Sequence, residues 1–221
     1  MKKRILRYKG KDIIVTFSVD RCTHVAECLR GAPKVFDTTR LPWVVVDAEP
    51  ADRVAEVVLR CPTGSLHFQR TDGGPQESIP PDNTIILNRD GPLYIHGDIE
   101  ILDENGDVLL KDTRVSLCRC GQSNFGPFCD GAHIYSDFTD DGDMPPRPYE
   151  KRAEGTESTP LKIKLRKNGP LLLTGPFTIL NATGETVFQD DKAALCRCGA
   201  SEKKPFCDGS HNQIRFRTTE E

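Results

Sequence analysis

Residues 118–133 have the sequence Cys118-Arg-Cys120-Gly-Gln-Ser123-Asn-Phe-Gly-Pro127-Phe-Cys129-Asp130-Gly131-Ala-His133, and residues 196–211 repeat its pattern with the same spacing. Both stretches follow C-x-C-x2-S-x3-P-x-C-D-G-[SA]-H. Each stretch therefore offers three thiolates and one imidazole, which are donors that bind transition metals. The pattern predicts one metal site in each copy.

The spacing of the donors indicates how each site is built. Cys118 and Cys120 are two residues apart, so on an extended segment they point to the same face and can bind the same metal. Cys129 and His133 are four residues apart, which places both side chains on one face of a helical turn. The corresponding pairs of the second copy are Cys196 with Cys198, and Cys207 with His211.

The residues between the donors favour a negatively charged bound group. Asp130 and Gly131 are suited to open the helical turn that carries His133. Glycine lets the backbone come close to the bound group, and backbone N–H groups at a helix start favour negative charge there. An iron–sulfur cluster is such a group. The residues expected to contact it are Ser123, Asp130 and Gly131 in the first copy and Ser201, Asp208 and Gly209 in the second.

The whole motif resembles that of the CDGSH iron–sulfur family, whose members hold a [2Fe–2S] cluster with three Cys and one His. The resemblance implies two [2Fe–2S] clusters, one on Cys118, Cys120, Cys129 and His133 and one on Cys196, Cys198, Cys207 and His211. Ala132 stands where the name-giving pattern has Ser, whereas Ser210 keeps it, and we expect this to change only a hydrogen bond beside the ligands. Spacing alone leaves zinc and iron open, because structural zinc also uses Cys3His sets. The full motif match favours [2Fe–2S].

Composition excludes several classes of protein. The 221 residues include 30 basic and 33 acidic side chains, so there is no basic excess for binding nucleic acid. Hydrophobic residues make up 37%, which suits several small metal-supported units better than one large core. The N-terminus has no apolar run long enough for a signal peptide, and no run approaches a membrane span. The nine cysteines, an odd number, argue against a disulfide framework. We therefore expect a soluble, cytoplasmic protein with reduced thiols and neither nucleic-acid nor membrane partners.

The N-terminal part predicts a small domain of strands and helices. Residues 3–18 are typical of a hairpin, and Ala51 to Arg60 of a helix whose apolar face ends at Cys61. We also expect a helix that begins near Asp20 and ends at Gly31, followed by strands at Trp43–Val46 and Leu66–Phe68. The polar, Gly- and Pro-rich residues 69–83 predict a linker.

Residues 1–70 resemble a divergent single-cluster ferredoxin domain. Cys22 and Cys28 take the outer positions of the bacterial C-x2-C-x2-C run, Cys61-Pro62 supplies the last cysteine, and Val25 replaces the middle one. The resemblance implies a [3Fe–4S] cluster, or a [4Fe–4S] cluster with a non-cysteine ligand or an open iron. The alternative is three buried free cysteines. His24 is expected to be a solvated surface residue.

The chain repeats from Ile85 onward with a constant offset of 78 residues, as between Cys118 and Cys196. Each unit predicts short strands joined by glycine turns; in the first they are Thr84–Asn88, Leu93–His96, Ile99–Leu102 and Val108–Lys111. Residues 139–160 predict a long connection, in which Asp140, Asp141 and Asp143 form a solvated cluster. The expected fold class is α+β, with domains at 1–70, 84–138 and 160–217.

Single-motif members of the CDGSH family are commonly homodimers in which strands of both subunits share a β cap. The resemblance therefore implies that the two units of this chain pair as an intramolecular pseudo-dimer within a monomer. The three predicted domains would then be a ferredoxin-like α+β domain and two mainly-β CDGSH units.

No arrangement typical of an enzyme is present, such as a Ser-His-Asp set, paired carboxylates or a phosphate-binding glycine loop, so we expect no catalytic activity. The metal-binding Cys and His side chains predict one-electron transfer, cluster delivery or both, with a redox or cluster-accepting protein as partner. Neutral imidazole in place of a thiolate should raise the potential above that of an all-Cys ferredoxin, and its protonation should couple reduction and cluster loss to pH. The alternatives are a structural zinc-binding adaptor that recognises a partner protein, and a redox or iron sensor.

Overall fold

The computed structural model describes residues 4–145, 147–149 and 159–218. It divides the chain into two compact units, one that ends at Ser78 and one that begins at Ile79. The second unit contains both copies of the cysteine motif. The division falls within the predicted linker.

The first unit is built on a three-stranded antiparallel sheet with the order β1-β2-β3. Its strands are β1 (Ile5–Lys9), β2 (Ile13–Ser18) and β3 (Leu66–Arg70). Helix α2 (Ala51–Leu59) buries one apolar face, as its 3.6-residue periodicity predicts. The buried residues of that face are Val54, Ala55, Val57 and Val58. The predicted hairpin, helix and final strand are confirmed.

Two predictions for the first unit are wrong. The helix expected from Asp20 begins only at Glu27, as α1 (Glu27–Gly31), although it does end at Gly31. His24 and Ala26 have φ angles of 57° and 65°, and a right-handed helix cannot contain this left-handed conformation. The strand expected at Trp43–Val46 is only an isolated bridge between Phe36 and Val44. The segment that leads to Phe36 is a turn, in which the backbone N–H groups of Val35 and Phe36 both donate to the Ala32 carbonyl. Val44 therefore has no extended strand with which to pair.

The second unit is organised by one six-stranded sheet. Its strands are β4 (Thr84–Leu87), β5 (Leu93–Leu102), β6 (Val108–Leu117), β7 (Leu161–Leu165), β8 (Leu171–Leu180) and β9 (Thr186–Leu195). The two strands predicted between residues 93 and 102 form the single strand β5, whose register shifts at Gly97. Gly97 has a φ of 143°, a conformation that glycine adopts without strain.

Strands from both copies of the repeat pair directly in this sheet. β4 and β7 both lie between β5 and β8: β5 pairs antiparallel with β4 and parallel with β7, and β8 pairs parallel with β4 and antiparallel with β7. Ile85 is opposite Ile179, and Ile163 is opposite Ile101. Ile163 lies 78 residues after Ile85, and Ile101 lies 78 residues before Ile179, so corresponding residues of the two repeats make corresponding pairs.

The two copies also share one hydrophobic core. On β5 every second residue is buried, which is the expected pattern for a strand with one covered face. Residues of β4, β5 and β6 are in the same buried cluster as residues of β7, β8 and β9. The core therefore depends on both halves of the repeat.

The cysteine loops that follow β6 and β9 meet each other. Cys120 forms an isolated antiparallel bridge with Cys198. Gly121 has a φ of 77°, and a Cβ added there would lie 2.5 Å from the carbonyl oxygen of Cys198. Gly199 stands in the same relation to Cys120, with a corresponding distance of 2.5 Å. The close approach of the two backbones requires glycine at both positions.

We expect Gly121→Ala to destabilise the protein by about 2–4 kcal/mol, because it adds a clash with backbone to the strain of a positive φ. Gly106→Ala is the matched control, since Gly106 has a φ of 99° but open space around the added Cβ. This control should cost only about 1 kcal/mol. Chemical denaturation followed by circular dichroism measures both variants, and equal losses would contradict the close approach.

Candidate metal centre

The first two donors lie where the sheet ends. Strand β6 ends at Leu117, and the chain continues directly into Cys118 and Cys120. The two Sγ atoms are 3.6 Å apart. The predicted same-face arrangement of this pair is therefore observed.

The other two donors are brought together by a single tight turn. Ala132–Tyr135 forms a 3₁₀ turn that begins after Gly131, whose φ is 89°. This turn places Nδ1 of His133 3.3 Å from Sγ of Cys129. The predicted helical turn is thus one turn of 3₁₀ helix, and the predicted proximity of its two donors is observed.

The second copy reproduces both pairs. The Sγ atoms of Cys196 and Cys198 are 3.6 Å apart. Nδ1 of His211, on the short helix α3 (Ser210–Gln213), lies 3.4 Å from Sγ of Cys207. Within the described ranges, no three Cys, His, Asp or Glu side chains are grouped so that they could hold a single metal ion. The Cys and His side chains of each motif are instead grouped in pairs.

Cysteine and histidine differ in exposure. Five of the six motif cysteines are buried, and the sixth, Cys207, is partly exposed. Both histidines are partly exposed. Each site therefore presents its imidazole side toward solvent and its first cysteine pair toward the protein interior.

Hydrogen bonds to sulfur favour a charged group in each site. The pKa of Cys118 is lowered to about 6, by the hydrogen bond with Cys120 and by backbone N–H groups including those of Gly121 and Ser123. The corresponding contacts lower the pKa of Cys196 to about 6. The backbone N–H of Gly131 donates to Sγ of Cys129 over 3.4 Å. Such bonds stabilise thiolates and tune iron–sulfur clusters.

The other two thiols of the first motif have raised pKa values. The hydrogen bond with Cys118, followed by burial, raises the pKa of Cys120. Burial raises the pKa of Cys129 to about 12. Burial also lowers the pKa of His133, and the positive charge of the nearby Arg119 lowers it further. Because metal ligands must be deprotonated, binding a metal here releases protons.

The three N-terminal cysteines lie near helix ends along the chain, since Cys22 precedes α1, Cys28 is in its first turn and Cys61 follows α2. Burial raises the pKa of Cys22, and it raises the pKa of Cys28 to about 11. The charge of Cys61 contributes to both shifts, so the three sulfurs are within electrostatic range of one another. Oγ1 of Thr63 lies 3.5 Å from Sγ of Cys61. His24 is exposed, as predicted.

Comparison with known proteins agrees with this geometry. A family model described as an iron-binding zinc finger of CDGSH type matches residues 90–134 and 168–212. A model described as a divergent 4Fe–4S mono-cluster matches residues 8–71. The chain contains two domains of CDGSH type and an N-terminal domain of the divergent 4Fe–4S type. Both resemblances predicted from the sequence are confirmed, and the chain is an iron–sulfur protein with two tandem CDGSH repeats after an N-terminal mono-cluster domain.

The curated relatives match only part of this chain. It is 36% identical over 62 residues to the uncharacterized protein YjdI of Escherichia coli K12, an alignment that covers 28% of the chain and 82% of the relative. YjdI of Escherichia coli O157:H7 matches with the same values. No solved structure matches the chain. None of the helices in the described ranges has both the length and the apolar character needed to cross a bilayer.

The polar residues of each CDGSH motif use their side chains to hold the loop. Oγ of Ser123 donates to the Phe128 carbonyl over 2.7 Å and accepts from the backbone N–H of Phe125. The carboxylate of Asp130 accepts the backbone N–H groups of Asn124 and Ala132. Ser201 and Asp208 make the equivalent bonds in the second repeat.

The hydroxyl that distinguishes the two motifs has a defined partner. Oγ of Ser210 donates to Oδ1 of Asp208 over 2.6 Å, and this bond lowers the pKa of Asp208. Ala132 has no hydroxyl, but its backbone N–H still donates to Asp130. The substitution in the first CDGSH repeat therefore removes one hydrogen bond beside the candidate ligands.

Sequence reasoning missed the arginine inside each C-x-C. Arg119 and Arg197 are both buried. Nε of Arg119 donates to the Gly91 carbonyl over 2.7 Å, and Nε of Arg197 donates to the Gly169 carbonyl over 2.9 Å. Each arginine thus ties a CDGSH loop to the turn before β5 or β8. The presence of the same residue at the same place in both repeats could have revealed this role.

The prediction of a solvated cluster is wrong for Asp140. Its side chain is only 6% exposed and forms an ion pair with Arg119 over 2.7 Å, where the arginine side chain is 2% exposed. The backbone N–H of Asp140 also donates to the carboxylate of Asp90. Asp140 is buried because its carboxylate neutralises the guanidinium of Arg119, which the CDGSH loop places in the interior.

We expect Asp140→Asn to lower the free energy of unfolding by about 3–5 kcal/mol, because it leaves the buried Arg119 cation without its counter-charge. Asp141→Asn, at the exposed neighbouring position, is the control and should change stability by less than about 0.5 kcal/mol. Urea denaturation measures both variants. If Asp140→Asn proves as mild as the control, Arg119 does not depend on this carboxylate.

Proposed function

We propose that this chain is a carrier of electrons or of iron–sulfur clusters that holds one [2Fe–2S] cluster in each CDGSH repeat. The ligands are Cys118, Cys120, Cys129 and His133 in the first repeat and Cys196, Cys198, Cys207 and His211 in the second. The chain acts on a protein partner and has no catalytic activity of its own.

The observation that carries the proposal is the pairing of the donors. Two thiolates on one tetrahedral metal, each about 2.3 Å from it, are about 3.7 Å apart. The Sγ–Sγ distance is 3.6 Å in both repeats. The Cys–His pairs, at 3.3 Å and 3.4 Å, likewise fit one metal each. Two metals with two protein ligands each are what a [2Fe–2S] cluster requires, whereas a structural zinc site gathers all four donors around one ion.

The chain's own groups suit a site that exchanges charge. Backbone N–H groups directed at Cys118 and Cys129 favour negative charge on sulfur. The partly exposed His133 and His211 contribute neutral donors at the solvent side. A bound cluster supplies one-electron redox chemistry, and imidazole ligation raises its potential relative to four thiolates.

The proposal includes an internal pseudo-dimer. Support comes from the parallel pairing of β4 with β8 and of β5 with β7, which follows the twofold relation of the repeat. The shared core and the bridge between Cys120 and Cys198 add to it. A chain that contains both halves has no need of a second copy to complete the sheet, so we expect a monomer.

The N-terminal domain, of divergent single-cluster ferredoxin type, is proposed to hold a third cluster. Its ligands are Cys22, Cys28 and Cys61, which suit [3Fe–4S], or [4Fe–4S] with one iron bound by another ligand. Support comes from the family model that matches this part of the chain.

Metal and sulfide analysis tests the proposal. Protein purified without oxygen should contain about four irons and four acid-labile sulfides per chain if only the CDGSH repeats are loaded, and about seven or eight irons if the N-terminal domain is loaded too. Cys118→Ala with Cys120→Ala should remove about two irons, whereas Cys22→Ala with Cys28→Ala should remove only the N-terminal centre. Stoichiometric zinc without sulfide would overturn the proposal and leave a zinc-binding adaptor.

We expect His133→Cys and His211→Cys each to lower the midpoint potential of one cluster, because a thiolate adds negative charge where the imidazole was neutral. A redox titration monitored by EPR measures the shift. His24→Gln is the control, since His24 is exposed and lies outside both motifs. Potentials unchanged in both His→Cys variants would show that these histidines are not ligands.

A further inference from the structure

The turn that carries His133 exposes two large apolar side chains. Ile134 is 65% exposed and Tyr135 is 91% exposed. Both follow the candidate ligand directly in the 3₁₀ turn Ala132–Tyr135. Aromatic residues on an exposed surface are frequent anchors of protein–protein contacts.

The fold does not require these apolar residues. The equivalent positions of the second repeat are Asn212 and Gln213, on a turn that brings His211 equally close to its cysteine. The second repeat exposes a single apolar residue nearby, Ile214, at the position of Ser136. The apolar pair beside His133 therefore belongs to one site alone.

The charges around the two histidines also differ. Between residues 129 and 138, all of which the structure describes, the charged side chains apart from the imidazole are Asp130 and Asp137, and both are exposed. At the position of Asp137 the second repeat has Arg215. Its loop also carries Lys203 and Lys204, where the first has Phe125 and Gly126. The segment that carries His133 is thus apolar and acidic, and the corresponding segment with His211 is polar with mixed charge.

We propose that the surface formed by Ile134, Tyr135, Asp130 and Asp137 docks a redox protein whose own apolar patch is ringed by lysine and arginine. The apolar pair supplies the anchor, and the two carboxylates steer and orient a basic partner. Interfaces of this kind in electron transfer are small and transient. The inference rests on the proposed function, and it assigns partner exchange to the first repeat rather than to both.

Electron exchange at this surface is a simple one-electron step. The reduced CDGSH protein gives up one electron, and the metal centre of the partner gains it. With ferric cytochrome c as partner, the haem iron becomes ferrous and no covalent bond forms or breaks. Cytochrome c is a suitable probe because lysines ring its exposed haem edge.

Stopped-flow mixing of the reduced CDGSH protein with ferric cytochrome c tests the proposal. Ile134→Asn with Tyr135→Gln, which copies the second repeat, should lower the second-order rate about tenfold. Asp137→Arg should lower it about tenfold at low salt, with a weaker dependence on ionic strength. The matched control, Asn212→Ile with Gln213→Tyr, should leave this salt-dependent rate within about twofold. Equal rates for the wild type and the Ile134/Tyr135 variant would overturn the proposal.

Binding is measured separately from electron transfer with zinc-substituted cytochrome c, which is redox-inactive. NMR line broadening of this probe should be lost in the Ile134/Tyr135 variant and retained in the control. The iron and sulfide content of each variant shows independently whether the proposed clusters are present. Sedimentation that reveals a dimer of the CDGSH protein, lost in the same variant, would overturn the proposal by assigning the surface to a second copy of this chain.

Discussion

The arrangement of the second unit depends on the parallel pairing of strands from different repeats. β4 and β7 lie between β5 and β8, so each repeat supplies the neighbour that the other needs. Parallel strands require cover on their faces, and both halves contribute side chains to the single core. The meeting of the two cysteine loops at Cys120 and Cys198 follows from this pairing. The sites are therefore placed by the sheet, and their loops add only local geometry.

Buried arginines connect that sheet to the cysteine pairs. Arg119 lies between two cysteines, yet its guanidinium reaches the turn that starts β5. Such a contact holds the loop in one position before any metal binds, which reduces the ordering that binding must impose. The same contact recurs through Arg197. The buried arginines thus help to fix the geometry of each site. In the first repeat, the ion pair with Asp140 offsets the energetic cost of burying the Arg119 charge.

Much of the site could be predicted from the sequence because its donors are close in the chain. Spacings of two and four residues determine which side chains can meet, and both pairs are found as expected in each repeat. The periodicity of α2 likewise determines its buried face. The helix expected from Asp20 failed because hydrophobic pattern carries no information on the positive φ of His24 and Ala26. Arg119 and Asp140 were missed because charged residues are assumed to be solvated unless a partner is known.

The pairing between repeats also has a consequence for synthesis. β4 is opposite β8, a strand translated long after it, so a nascent chain that ends before β8 has made the first motif without completing its sheet. Until then β4 and β5 present open edges and apolar side chains, which favour non-native association. Contacts so distant in sequence also slow folding. A growing chain therefore keeps these edges unpaired until β8 has left the ribosome.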